Sequence, residues 1–169
     1  IHLNENDIFV DEKYFEQTKK TIKLGFFFGD DDYSKDLENN LMFLHELNPD
    51  LLLGFYYFFD YEDMLKEKFK NYHEFEEYDN FITSCEVLLT SSPQAVLECL
   101  ASGGKPIYIQ RNDYSKDFLE KFKELNIPII MDYKREEILK IIKSIHNYKY
   151  SKLKQNCNKL VDSIKENLI

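Results

Sequence analysis

The chain has no tryptophan, only three cysteines, and no apolar run of the roughly 18 residues needed to span a bilayer. Each shortage excludes something. Cys85, Cys99 and Cys157 are odd in number, lie in strand-like or helix-like sequence, and have neither disulfide nor zinc-ligand spacing. A disulfide-stapled secreted scaffold and a zinc module are thereby set aside, and a reducing cytoplasmic setting is expected. Positive charge is also short, with 22 Lys and Arg against 31 Asp and Glu and a net charge of −9. A broad nucleic-acid surface needs clustered basic residues, so none is expected, although an acidic chain can still hold one phosphate locally. The first residues lack the basic stretch and hydrophobic core of a secretory signal. Starting at Ile1 without an initiator Met, the sequence reads as an excised piece of a longer protein, and its many Lys, Asn, Ile, Phe and Tyr suggest an AT-rich bacterial genome.

What is present suits one globular domain: 169 residues, 43% hydrophobic and 31% charged. From Ile22 onward, short apolar runs alternate with longer amphipathic ones. Strands are expected at Ile22 to Phe28, Leu51 to Tyr57, Glu86 to Thr90, Pro106 to Gln110 and Ile127 to Met131. Helices are expected at about Lys35 to Leu47, Tyr61 to Lys70, Asp79 to Ser84, Pro93 to Ser102, Ser115 to Leu125, Arg135 to His146 and Ser151 to Leu168. Strands apolar on both faces belong in a buried parallel sheet. Right-handed crossovers then give an α/β fold, a Rossmann-like α/β/α sandwich of three layers with a mostly parallel sheet. Residues 1–21 have scattered charge and no period and read as a linker or extension from a missing N-terminal domain. Residues 22–150 form the Rossmann-like domain, and 151–169 a C-terminal helix whose stripe of Leu153, Cys157, Leu160, Ile164 and Leu168 requires a partner.

In open α/β sheets ligands sit beyond the carboxyl ends of the strands, here the loops after Phe28, Tyr57, Thr90 and Gln110. The stretch "SSPQAVLECLASGGKPIYI", Ser91 to Ile109, is the most informative. Ser92 is a good N-cap and Pro93 suits the first helical position, so this helix end can receive an anion or can simply be capped. Gln94, Glu98 and Ser102 recur at spacings of four down an otherwise apolar helix. A carboxylate there must be hydrogen-bonded, with ribose hydroxyls a natural partner, or else lie at the solvent edge. Gly29 opens a loop where backbone can approach a phosphate, but Asp30, Asp31 and Asp32 follow it. N-capping and a solvated acidic turn explain the aspartates better than a Mg²⁺ site, and no metal is assigned. The four histidines have no Ser or Cys partner at a telling spacing; His73, before Phe75, is the one nearest a loop of interest. No catalytic residue is assigned and no cofactor is expected. A response-regulator-like receiver is set aside, since no later phosphoacceptor Asp ends a central strand.

The run "NFITSCEVLLTSSPQAVLECLASGGKPIYI" resembles the C-terminal domain of GT-B enzymes, the two-domain nucleotide-sugar glycosyltransferases. The order of pieces from Lys23 to Tyr133 is most similar to the UDP-sugar hydrolase of pseudaminic acid biosynthesis. The resemblance implies loop amides at Ser91 and Ser92 on a diphosphate, with Gln94 beside them, Glu98 on the ribose, Gly29 near the phosphates, and backbone around Tyr72, His73 and Phe75 for the base. Thr90 stands where retaining transferases place a second glutamate, and Phe28 and the aspartates replace the family's first-loop Gly and Ser. The implied function is the UDP-sugar-binding half of a hydrolase or transferase of bacterial surface glycans or sialic-acid-like sugars, with fusion to a cytidylyltransferase as one arrangement. Its catalytic groups would come largely from the N-terminal half. The rival is a Rossmann-like assembly or regulatory domain without ligand.

Overall fold

The computed structural model describes residues 9–56 and 59–153. Six strands, β1 (Ile22–Phe27), β2 (Asp50–Leu52), β3 (Asn71–His73), β4 (Cys85–Thr90), β5 (Lys105–Ile109) and β6 (Ile129–Ile130), form one sheet. Every neighbouring pair is parallel, in the order β3-β2-β1-β4-β5-β6. The Rossmann-like α/β architecture therefore holds, with an all-parallel sheet among the described residues.

Burial of the central strands follows from their sequence. On β1, Phe26 points into one apolar cluster and Phe27 into the other; on β4, Val87 and Leu89 face the first and Leu88 the second. Strands in contact with two layers need apolar side chains at consecutive positions, and each such side chain contributes about 2 kcal/mol through burial. One layer holds α1 (Phe59–Lys68) and α5 (Arg135–Ser144); the other holds α2 (Tyr78–Ser84), α3 (Pro93–Ala101) and α4 (Leu119–Glu124). Among the described residues, no helix is long and apolar enough to cross a membrane.

Three departures have local causes. The expected strand at Leu51 to Tyr57 is short: Leu53 N–H makes the last ladder bond, to His73 O, and Phe55 N–H turns instead to Asp30 O in the first loop. Gly54 permits this: a Cβ there would collide with the carbonyl oxygens of Gly29 and Asp30. The helix expected at Lys35 to Leu47 is instead a π turn (Leu37–Leu41) running into a 3-10 helix (Met42–Leu47), where Asn40 Nδ2 bonds Asp36 O. The edge strand β3, "NYH", is polar and mostly exposed, so it carried no apolar signal. His73 thus lies on a strand.

Of the segment read as a linker, residues 9–21 pack on the domain, with Val10 and Tyr14 buried beside Val96 and Leu97 of α3. Residues 151–153 are not helical, and the rest of the expected C-terminal helix lies outside the described residues.

Cys85 and Cys99 are buried free thiols. Burial raises the pKa of both, that of Cys99 to about 12, so neither is a ready nucleophile. A Cβ on Gly25 would collide with Cys85 Sγ, and one on Gly104 with Cys99 Sγ.

Candidate functional site

The chain leaves β1 for one side of the sheet and β4 for the other, so the loops after these adjacent strands diverge at their carboxyl ends. The β4 loop is built by short-range bonds. Thr90 Oγ1 accepts from Ser92 N–H at 3.0 Å, and Ser92 Oγ accepts from Ala95 N–H at 3.2 Å. Ser92 is the N-cap in extended conformation, with Pro93 in the first turn of α3. Pro93 offers no N–H, so an anion at this end would meet the Gln94 amide rather than a row of free donors. Ser91 is fully buried, and its Oγ has no hydrogen-bond partner among the described residues.

A cleft of about 290 Å³ opens here, lined by Asp30, Ser92, Pro93, Gln94, Tyr114 and Phe118. Glu98 does not line it. The carboxylate is 6% exposed, accepting from Tyr78 Oη at 2.5 Å and from Gln94 Nε2 at 3.0 Å. A solvent-edge position is therefore corrected: Glu98 is buried, and protein groups supply the hydrogen bonds its burial demands. Burial raises its pKa, with Tyr78 and Gln94 opposing. Gln94 stands between Glu98 and the cleft and belongs to both.

On the opposite wall the first loop uses most of its charge internally. Asp32 is buried and accepts from the amides of Asp36 at 2.8 Å and Leu37 at 3.1 Å, and from the Tyr61 hydroxyl. Asp32 thus holds two amides at the start of the π turn, whose N-cap position is Asp36 and carries no side-chain capping bond. Asp31 pairs with Arg111, which is 1% exposed and lies between the rings of Phe28 and Tyr114, 4.6 and 4.2 Å from their centroids. Arg111 Nη1 donates to Asp31 O at 2.6 Å, and Nε and Nη2 donate to the two Asp113 oxygens at 2.8 and 2.7 Å. Burial works against the Arg111 charge, but Asp113, Tyr114 and Asp31 outweigh it, and Arg111 in turn depresses the Asp113 pKa. Gly29 is buried beneath this clasp, its missing Cβ facing Arg111 Nη1, and its carbonyl accepts from Tyr56 Oη. Only Asp30 of the three aspartates lines the cleft. Among the described residues, no group of three or more His, Cys, Asp or Glu is placed to hold a metal.

Tyr72, His73 and Phe75 lie at the β3 edge, two strands from β1. Tyr72 is exposed beneath Lys66 Nζ, and His73 Nε2 pairs with Asp50 at 2.8 Å. Phe75 alone points back toward the site: it packs on the 53% exposed Phe55 at 4.5 Å and on Tyr78 at 5.6 Å, and Tyr78 reaches Glu98. The fold thus brings Ser92, Gln94 and Glu98 together, joins Phe75 to them through Tyr78, and leaves Tyr72 and His73 outside. Arg111, Tyr78 and Tyr114 went unread in the sequence. The only available signal was the polar run "QRNDY" at the end of an apolar strand.

Compared with family models and with curated proteins, the sequence matches none.

Proposed function

We propose that this chain is the nucleotide-sugar-binding half of a GT-B-like enzyme that hydrolyses or transfers UDP-linked sugars for bacterial surface glycans. The observation that carries the reading is a buried carboxylate, Glu98, one side chain behind a cleft that opens between β1 and β4, where the strand order reverses. In this reading the Gln94 amide and the Ser92 hydroxyl receive the diphosphate, because the Ser91 and Ser92 amides expected there are already bonded to Phe27 O and Thr90 Oγ1. Gln94 turns aside, Glu98 takes the ribose hydroxyls, and the base lies toward Phe75. The positive end of α3 stabilises the leaving diphosphate electrostatically, and the sugar-cleaving groups come from a second half.

A second reading, a ligand-free Rossmann-like assembly or regulatory module, is favoured by a specific observation. Both Glu98 oxygens already have protein partners, and Asp30 places negative charge in the cleft.

Calorimetric titration with UDP, UMP and CDP separates the two. Micromolar to millimolar binding with UDP preferred, weakened about tenfold by Glu98→Ala, is expected from the loss of a charged hydrogen bond. No UDP binding by a chain that unfolds cooperatively leaves the second reading.

A further inference from the structure

Residues 9–20 run along the groove between α2 and α3 and are tied at both ends. At one end, Thr18 Oγ1 donates to Thr83 O at 2.6 Å, while Lys20 Nζ donates to Thr83 O at 2.7 Å and Ser102 O at 2.8 Å. One ammonium thereby closes the carboxyl ends of two helices, where cations are favoured. At the other end, Lys13 Nζ pairs with Asp79 at 2.8 Å, the Tyr14 hydroxyl donates to the same carboxylate, and Phe9 O accepts from Gln94 Nε2 at 2.8 Å.

The last of these bonds matters most, because the same Nε2 also donates to Glu98 Oε1. The carboxamide of Gln94 is held across Glu98 by the backbone of Phe9. Lys13 and Tyr14 stand nearby: Glu98 is among the charges that raise their pKa values, after the Asp79 hydrogen bond for Lys13 and burial for Tyr14. The two ends are held differently. Lys20 is partly buried and bonded to two carbonyls, whereas at the other end the Lys13–Asp79 pair is more than half exposed and weak, and the segment is held there by the buried side chains of Val10 and Tyr14.

We infer that the segment Phe9–Tyr14 is a cover that competes with the ligand for Gln94 and Glu98, hinged on the Thr18–Lys20 anchor and released when a nucleoside diphosphate enters the cleft. The inference rests on the proposed nucleotide site and adds its control. With the cover down, Gln94 shields the carboxylate; with it lifted, Gln94 swings to the cleft and Glu98 meets the ligand's vicinal hydroxyls. A ligand that must displace the cover binds with an affinity reduced by the fraction of molecules in which it is open.

The test uses the whole chain with UDP as probe. The double variant Lys13→Ala/Tyr14→Phe loosens the cover without touching Gln94 or Glu98. It is expected to bind UDP about fivefold more tightly than the parent, the factor set by losing one hydrogen bond and one exposed ion pair. In the parent, saturating UDP is expected to speed amide hydrogen exchange at Val10–Phe15 while the Thr21 amide, bonded to Ser84 O beside the anchor, stays protected. Both results are required. Equal or weaker binding by the variant, or unchanged exchange, overturns the cover and leaves the nucleotide site standing. No UDP binding by either protein, each unfolding cooperatively, removes the nucleotide site and the cover with it. Should the double variant fail to fold, Asp79→Ala removes the shared acceptor and is read in the same way.

Discussion

The loops after β1 and β4 occupy equivalent places on adjacent strands yet do opposite things with their polar groups. The β4 loop is capped within a few residues, through Thr90, Ser92 and Ala95, with one bond from Ser91 N–H to Phe27 O of β1, and leaves the Ser91 hydroxyl buried without a partner among the described residues. The β1 loop is satisfied at long range: Asp31 reaches Arg111, 80 residues away, and Asp32 reaches Tyr61. A formal charge says little about what a loop offers a ligand until the charges already neutralised inside the protein are subtracted. By that reckoning three aspartates present one carboxylate, Asp30, to the cleft.

The largest expected effect breaks the long-range side. Arg111→Ala removes the cation between two rings and leaves Asp31 and Asp113 facing each other, at a cost of about 3 kcal/mol. Urea unfolding with a loss under 1 kcal/mol would mean that the clasp holds nothing together. Next, Asp32→Ala should cost about 2 kcal/mol and Ser92→Ala about 1, since the first strips a buried cap of three donors and the second a half-exposed cap of one. Equal losses would erase the distinction between the loops. The smallest effect sharpens it: Asp30→Asn should raise UDP affinity about threefold by removing a like charge beside the phosphates, with little change in melting temperature. Unchanged affinity in calorimetry would place the phosphates elsewhere.

What was legible in the sequence tracks the range of the interaction. Ser92, Pro93 and the apolar pattern around Glu98 act within one helix, and their consequences, the cap and the start of α3, were readable from neighbours alone. That Glu98 needs a partner was also readable, since it sits between Leu97 and Cys99; that the partner is Tyr78 was not, because the bond joins α2 to α3. Arg111 is the clearest omission, its partners being set by where β1 and β5 end rather than by any local motif. β3 was missed because an edge strand with a solvated face has no burial pattern to display. The π and 3-10 turns after the first loop were read as a helix because the apolar spacing fits either, while backbone-bonding side chains decide between them.

Gly25 and Cys85 act as a single unit of volume split between two positions, and Gly104 is crowded in a different way. At Gly25 the sulfur fills the space that a methyl would need, so alanine there would demand a smaller neighbour at 85; at Gly104 the backbone oxygen of Cys85 also stands in the way, so no change at 99 alone makes room for a side chain.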